Sequence, residues 1–273
     1  MYLRGTAPEH IWDILYGNHR GTVDMVNSRG IYLNLAGRKI LLCSRHYGVV
    51  PNGAAVEDWN ALPPLLEVGQ PIRAKGGILQ FPRVAAELDL EKAVQDADIV
   101  TPSLNGVLPL LQSKETGTGL APLSGVFFGH GEPVLNPWCR MALPPLQALL
   151  NALEKGNSDA IAPSVGALLG LGTGLTPSGD DVLAGLLYGL RHSVLRDADE
   201  TLALRDAICV QANGKTTAVS TDVLLALAQD APFERMKGAW QGSAERLLEI
   251  GSNSGSEMLL GLTLAELLLN KKG

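Results

Sequence analysis

The run GLGTGLTPSGDD, residues 170–181, places three alternating glycines and several hydrogen-bonding side chains directly before an apolar segment. Alternating glycines before a helix let backbone N–H groups turn toward a bound anion and approach it closely. The run ends in two adjacent acids, Asp180 and Asp181. A carboxylate in this place can act as a general base, orient a donor, or hold Mg²⁺ beside a phosphate. The run therefore predicts an anion-binding loop with two candidate catalytic acids. Mg²⁺ is the single cofactor that the pattern leaves open.

The start of the apolar segment is repeated later in the chain. Residues 178–186 read SGDDVLAGL and residues 254–262 read SGSEMLLGL, so each copy opens with Ser-Gly and has an acid at its fourth position. These acids are Asp181 and Glu257. In both copies the serine and the acid three residues later also fit a capping box, in which they satisfy backbone groups of their own helix. Helix capping and ligand binding therefore both stay open for these residues.

A third polar helix start, NGKTTAVST, covers residues 213–221. Thr216 and Ser220 lie one helical turn apart, so their hydroxyls share one face. Together with Lys215 and Thr217 they could contact phosphate or carboxylate oxygens. An N-capped surface helix explains the same residues equally well.

We expect these three helix starts to converge on one anion site. Its predicted catalytic residues are Asp180 and Asp181. Its predicted substrate-binding residues are Gly172, Gly174, Thr176, Ser178, Gly179, Lys215, Thr216, Thr217, Ser220, Ser254, Gly255 and Glu257. No metal ligand set is predicted, because His10, His19 and His192 have no zinc-type spacing with each other or with the cysteines.

The elements that must position this site divide the chain into a β-like part and a helical part. From about residue 20 to residue 85, short alternating runs are separated by turns, and Gly76-Gly77 suits a tight hairpin. Residues 91–94 are predicted to be helical. From residue 143 the apolar period is helical, with candidate helices at 143–155, 159–169, 179–195, 199–212, 216–229, 233–250 and 255–270.

The helix after Asp181 is predicted to be buried on all sides, because apolar residues occupy nearly every position of it. Gly185 and Gly189 would give this helix a smooth strip where another backbone can come close. The predicted fold class is α+β, with a small N-terminal antiparallel β sheet or barrel followed by a mainly α-helical domain around a buried central helix. The predicted parts are a β-rich domain at 1–100, a connecting region at 101–142 and a helical domain at 143–273.

Composition limits the partners that can be expected. A net charge of −6 leaves no basic stripe to neutralise the phosphates of nucleic acid, so nucleic acid is not expected as a partner. The three cysteines are widely separated and odd in number, which favours a reducing compartment. The N-terminal residues are not expected to form a signal peptide, and no apolar run reaches the ~20 residues that a membrane span needs. We therefore expect a cytoplasmic protein without membrane contact.

Three blocks of the sequence are similar to the AllH-type family: GLGTGLTPSGDDVLAGLLYG, KTTAVS and GSNSGSEMLLGLTLAELL. The similarity is best over residues 165–270, and in the β-like part it rests mainly on LLCSRHYGVVPNG. Members of this family, formerly described as carboxylases of unknown function, are associated with oxamate carbamoyltransferase in anaerobic allantoin degradation. The resemblance implies a transferase subunit that works with two further subunits, one of them similar to an acyl-CoA synthetase. Such complexes interconvert oxalurate plus phosphate with oxamate plus carbamoyl phosphate.

On this resemblance, the residues of the three blocks would bind a small anionic substrate of that reaction. Asp180 would be the acid, base or orienting group, and Lys215 an anion contact. Two other hypotheses stay open. The chain could be a non-catalytic scaffold of the complex, or a small-molecule kinase, because Gly-Asp at a buried helix start resembles the anion hole of sugar and vitamin kinases. Activity without partner subunits and assembly into a homo-oligomer are also left open.

Overall fold

The computed structural model of the chain describes residues 1–27, 29–94, 98–104, 106–113, 118–129 and 133–272. These residues form two compact units. One joins Met1–Asp96 to Gln229–Glu234, and the other joins Ala97–Ala228 to Arg235–Gly273. We refer to the first as the barrel unit and to the second as the helical unit.

Within residues 1–27 and 29–94, eight strands close into a barrel in the order β1-β5-β4-β3-β2-β6-β7-β8. The strands are β1 (Tyr2–Ala7), β2 (His19–Val26), β3 (Ile31–Leu35), β4 (Arg38–Ser44), β5 (Gly53–Val56), β6 (Pro71–Lys75), β7 (Ile78–Phe81) and β8 (Ala86–Lys92), with a short helix α1 (Trp12–Tyr16) between β1 and β2. β1 pairs with β8 in parallel, and β4 pairs with β5 in parallel. The other neighbouring strands are antiparallel. The predicted small β barrel is confirmed, and two of its strand pairs are parallel rather than antiparallel.

Period-two alternation decides which face of each strand enters the barrel core. In β3 the side chains of Ile31, Leu33 and Leu35 are fully buried, whereas the residues between them are only half-buried. Successive side chains of a strand point to opposite faces, so the apolar set fills the interior. Leu79 and Phe81 of β7 follow the same rule and belong to the same core.

The prediction of a helix at residues 91–94 is wrong. Strand β8 continues through Lys92 and pairs with β1 from Glu87 to Lys92. Its sequence AELDLEK alternates apolar and charged residues, and this places Leu88 and Leu90 inside the barrel. The two charged residues at its end, Glu91 and Lys92, are the last residues of the strand and do not begin a helix.

In its described residues, the rest of the chain is mainly helical. Its helices are α2 (Val107–Ser113), α3 (Leu123–Phe128), α4 (Pro137–Lys155), α5 (Ser158–Leu168), α6 (Ser178–Arg191), α7 (Asp199–Gln211), α8 (Ala218–Leu227), α9 (Glu234–Trp240) and α10 (Ser254–Lys272). The described residues after Lys92 contain no strand, so the strand–helix alternation of a typical kinase fold is not found among them. None of the described helices is long and apolar enough to cross a membrane.

The predicted helices are found, with differences at their bounds: α6 ends at Arg191, ahead of the predicted 195, and α8 covers only Ala218–Leu227 of the predicted 216–229. Helix α4 begins at Pro137, ahead of the predicted start at 143, because Asn136 caps it and proline is tolerated at a first helical position. The helix predicted at 233–250 ends at Trp240 and is followed by a short 3-10 turn at Leu247–Glu249. Gly242 interrupts it with a left-handed φ of 105°.

The centre of the helical unit is a close crossing of α6 and α10. Every residue of α6 is buried, so the predicted buried central helix is confirmed. A Cβ at Gly185 would lie 2.0 Å from the Met258 carbonyl oxygen, and one at Gly261 would lie 2.2 Å from the Val182 carbonyl oxygen. These glycines occupy the same position in the two sequence copies, so the copies pack on each other through matching backbone contacts. The crossing brings the two helix starts together.

Candidate functional site

The starts of α6 and α10 exchange hydrogen bonds between serines and acids. The Ser254 hydroxyl bonds to the Asp181 carboxyl, and the Ser178 hydroxyl bonds to the Glu257 carboxyl. Each serine of one sequence copy therefore holds the acid of the other copy. The contacts are reciprocal, like those at the glycine crossing.

This exchange corrects the capping-box alternative at α6. The N-cap of α6 is Pro177, which makes no side-chain cap bond, and Ser178 is the first helical residue. In a capping box the serine occupies the N-cap and the acid the third helical position. Asp181 is the fourth helical residue, one position too far along to reach back. Its carboxyl instead bonds across the crossing.

The third helix start joins the cluster through Asp180. One carboxylate oxygen accepts from the backbone amide of Gly170 at 2.8 Å. The other accepts from the Ser220 hydroxyl at 2.7 Å and from the Thr216 hydroxyl. Asp180 is only 1% exposed, so its carboxylate links the glycine loop to the start of α8 inside the protein.

Thr176 links the glycine loop to the serine–acid exchange. Its hydroxyl donates to an Asp181 carboxylate oxygen at 3.1 Å and lies 3.1 Å from the Ser254 hydroxyl. Asp181 is 2% exposed, while Thr176 and Ser254 are half-buried. A ligand at the surface would therefore meet these hydroxyls before it meets the carboxyl behind them.

Burial raises the pKa of all three acids. For Asp181, burial raises the pKa well above its ordinary value, and the nearby Glu257 carboxyl raises it further against the bonds from Ser254 and Thr176. For Glu257, burial raises the pKa while the Ser178 hydroxyl and the Leu120 amide lower it. For Asp180, burial outweighs the three donors that favour its ionised form. The cluster therefore retains protons at a pH where exposed carboxyls have lost theirs.

The glycine loop has left-handed backbone at each glycine. The φ angles are 76° at Gly170, 120° at Gly172 and 100° at Gly174. A Cβ at Gly170 would lie 2.3 Å from the Lys215 carbonyl oxygen, and one at Gly172 would lie 2.6 Å from the Ser178 amide, so both positions are closely packed. A Cβ at Gly174 would meet nothing within 4 Å. Gly174 is needed for its backbone conformation alone, at an exposed site.

The backbone amide N–H groups of the glycine loop are hydrogen-bond donors. Among the described residues, no protein acceptor bonds to the backbone amides of residues 172–175. Residues 173–175 are exposed, and Gly172 is half-buried. Free amides at a glycine turn before a helix form a setting for an anionic oxygen.

Two predicted glycines have a packing role. A Cβ at Gly179 would lie 2.1 Å from the Leu168 carbonyl oxygen, and one at Gly255 would lie 2.0 Å from the Leu247 carbonyl oxygen. Both glycines follow the first serine of their copy, and both press against the backbone of a preceding segment. Close packing accounts for their presence.

Thr217 and Lys215 lie at the edge of the cluster. The Thr217 hydroxyl caps α8 by accepting from the Ser220 amide at 3.0 Å, and it donates to the Leu175 carbonyl. The Lys215 ammonium bonds to the Gly166 carbonyl at 3.2 Å and to Gln211 at 3.1 Å. The structure thus ties Thr217 to the glycine loop and places the Lys215 ammonium outside the hydrogen-bonded cluster.

Sequence reasoning missed the segment at residues 118–120. The Leu120 amide donates to a Glu257 carboxylate oxygen at 3.1 Å. A sequence signal for this segment exists: GTGLAP at 117–122 resembles GTGLTP at 172–177. Each proline is the N-cap of the helix that follows, α3 or α6. A comparison of the chain with itself would have found it.

Metal coordination is the other role open to the acids at 180 and 181. Among the described residues, no group of three or more His, Cys, Asp and Glu side chains is arranged to hold a metal ion. The oxygens of Asp180 already accept from one amide and two hydroxyls.

The fold and the cluster define an α+β protein with buried acids and hydroxyls beneath a glycine loop. Residues 168–266 match the model of the family described as oxamate carbamoyltransferase subunit AllH. This match supports an AllH-type assignment of the chain, and it covers the glycine loop, α6, α8 and most of α10. No curated protein and no solved structure matches the chain.

Proposed function

We propose that the chain is a subunit of a carbamoyltransferase that acts on oxamate or oxalurate in allantoin degradation. The cluster beneath the glycine loop would bind the small substrate. The observation that carries this proposal is the meeting of three helix starts in one network, with the free amides of residues 172–175 beside it. The family description supports the reaction class, and the matched residues include the whole network except the 118–120 segment.

The chemistry of the cluster favours a substrate that has both an anionic end and an amide. The free amides of residues 172–175 are donors for carboxylate or phosphate oxygens. The hydroxyls of Thr176 and Ser254 have lone pairs that can accept from an amide NH₂ group. Oxamate, oxalurate and carbamoyl phosphate each contain an anionic group and an amide. An anion without an amide group would use the backbone amides of the loop but not the hydroxyls of Thr176 and Ser254.

The acids would serve different roles. Carbamoyl transfer from carbamoyl phosphate to oxamate forms a bond from the carbamoyl carbon to the amide nitrogen, breaks the bond to phosphate, and takes a proton from that nitrogen. Asp181 is suited to accept this proton. Burial and the Glu257 carboxyl raise the pKa of Asp181, and the hydroxyls that bond to Asp181 are half-buried. Asp180 would orient the loop and α8, since its oxygens already accept from the Gly170 amide and two hydroxyls.

The partners expected for the proposed complex are those that the resemblance to the AllH-type family implies. We expect two further subunits, one of them similar to an acyl-CoA synthetase, and turnover only in their presence. The chain alone should still bind substrate, because the loop, the hydroxyls and the acids all belong to its own helical unit. Substrate binding is therefore the first property to measure.

The test is calorimetric binding of oxamate, oxalurate, carbamoyl phosphate and phosphate to the full chain. We expect Gly174→Ala and Asp181→Asn to weaken binding by about tenfold or more, the effect of losing one or two hydrogen bonds to a charged ligand. Gly156→Ala is the matched control. Gly156 also has a left-handed φ, of 67°, with nothing within 4 Å of a Cβ, and it is the C-cap of α4. Partner subunits that bind tightly to a chain with no affinity for these anions would instead favour the scaffold hypothesis.

A further inference from the structure

A single peptide group connects Asn136 to the candidate site. The Leu120 N–H donates to a Glu257 oxygen at 3.1 Å. The Gly119 carbonyl, at the other end of the same peptide group, accepts from Asn136 Nδ2 at 2.7 Å and from Cys139 Sγ at 3.3 Å. Because a peptide group is rigid and planar, holding its carbonyl also fixes the direction of its N–H.

Asn136 is itself fixed. It is the N-cap of α4, and its Oδ1 accepts from the Cys139 amide at 2.9 Å while its Nδ2 bonds to Gly119. The segment is also held from the side of α10, where Asn253 Nδ2 donates to the Thr118 hydroxyl at 3.1 Å. Gly119 lies so close that a Cβ there would be 3.1 Å from Glu257 Oε1. The Glu257 carboxyl therefore meets a preorganised donor.

We propose that Asn136 is a positioning residue of the site, which fixes the Glu257 carboxyl through the Gly119–Leu120 peptide group. The relevance of this role to catalysis rests on the proposed function. The groups that face Glu257 are the Ser178 hydroxyl, the Leu120 amide and the Asp181 carboxyl. Asn136 orients the amide, and the amide favours the ionised form of Glu257 beside Asp181.

The repeated sequence supports this role. In the 172–177 copy the residue before proline is Thr176, and its hydroxyl donates to Asp181. In the 117–122 copy the residue before proline is Ala121, which has no hydroxyl. The acid of α10 instead receives a backbone N–H from Leu120. A backbone donor depends on the anchoring of its peptide group, and Asn136 supplies that anchor.

The test separates helix capping from positioning. Asn136→Ser keeps a good N-cap for α4 but removes the donor to Gly119, and Asn136→Asp does the same with a side chain of the original size. Asn151→Ser, at an exposed position of the same helix, is the control. In the full chain, the Glu257 side-chain carboxyl is followed by ¹³C NMR over pH, with its signal assigned by Glu257→Gln.

In both Asn136 variants, and not in the control, we expect the Glu257 carboxyl to titrate at a higher pH than in the wild-type chain. We also expect oxamate affinity to fall by about tenfold while α4 remains folded. A Glu257 titration that stays unchanged in both variants would overturn the proposal. If the titration moves but the wild-type chain binds no oxamate, the positioning role stands and the proposed function fails.

Discussion

The starts of α6 and α10 have the same Ser-Gly opening and the same acid position, yet they are completed by different parts of the chain. At α6 the loop lies directly before the helix, and Thr176 donates a hydroxyl to Asp181. At α10 the donor is the amide of Leu120, 137 residues earlier in the chain. Burial raises the pKa of both acids, and at Asp181 the nearby Glu257 carboxyl raises it further. Two similar helix starts thus receive their hydrogen-bond donors from different segments, one adjacent in the sequence and one distant.

The strongest test of the paired arrangement is at the glycine crossing. Gly185→Ala and Gly261→Ala each place a Cβ within about 2 Å of a carbonyl oxygen of the other helix. We expect each to reduce the free energy of unfolding by at least about 3 kcal/mol, by similar amounts because the contacts are reciprocal. The measurement is urea denaturation. Gly238→Ala is the control, since its nearest neighbour would be 3.9 Å away, and an equally large loss there would contradict the assignment.

The second test removes the link that only the α6 start has. Asp180→Asn replaces a carboxylate that accepts from one amide and two hydroxyls with an amide that has a single acceptor oxygen. At least one buried donor loses its partner, so we expect a loss of about 1–3 kcal/mol in the free energy of unfolding. Denaturation at neutral pH measures it. A variant as stable as the wild type would show that the three donors find other partners.

The third test concerns the protonation of Asp181. An acid with a raised pKa in the folded state holds its proton more tightly there than in the unfolded chain. Its contribution to stability is therefore present near pH 4 and is lost as the pH rises toward the folded pKa, by up to about 1.4 kcal/mol per pH unit. We expect Asp181→Asn to reduce this loss of stability with rising pH. The loss that remains in the variant comes from Glu257 and Asp180. Unfolding curves between pH 4 and pH 8 provide the slope, and an unaltered slope would contradict the raised pKa.

The smallest expected effect distinguishes the two serines. Ser178→Ala should raise the pKa of Glu257, and Ser254→Ala should raise the pKa of Asp181, because each loses a hydroxyl donor from the other helix. Each change should cost about 1 kcal/mol of stability. Carboxyl ¹³C titrations of both single variants report the pairing. If each serine instead affects the acid of its own helix, the exchange between helices is wrong.

The sequence predicted the elements better than their connections. Period-two runs indicated the strands, and the all-round apolar pattern of α6 indicated a buried helix. The repeat of Ser-Gly-x-acid indicated that 178 and 254 form related helix starts. These properties are local, because each depends on residues within a turn or two.

The pairing of side chains could not be predicted in the same way. The capping box of Ser178 with Asp181 was a sound local alternative, but the glycine crossing brings the acid of the partner helix within reach of the serine. The parallel pairing of β1 with β8 is equally non-local. The contact of Leu120 with Glu257 had a sequence signal in GTGLAP, but its acceptor on α10 could be known only from the fold.

The closure of the barrel has a consequence for the order in which the chain folds. β1 is bonded to β5 on one side and to β8 on the other, so the ring is incomplete until residues 86–92 have been synthesised. A nascent chain that ends before β8 exposes two unpaired strand edges, and such edges pair readily with other chains. During translation, the first strand made must therefore remain available until the last strand emerges from the ribosome.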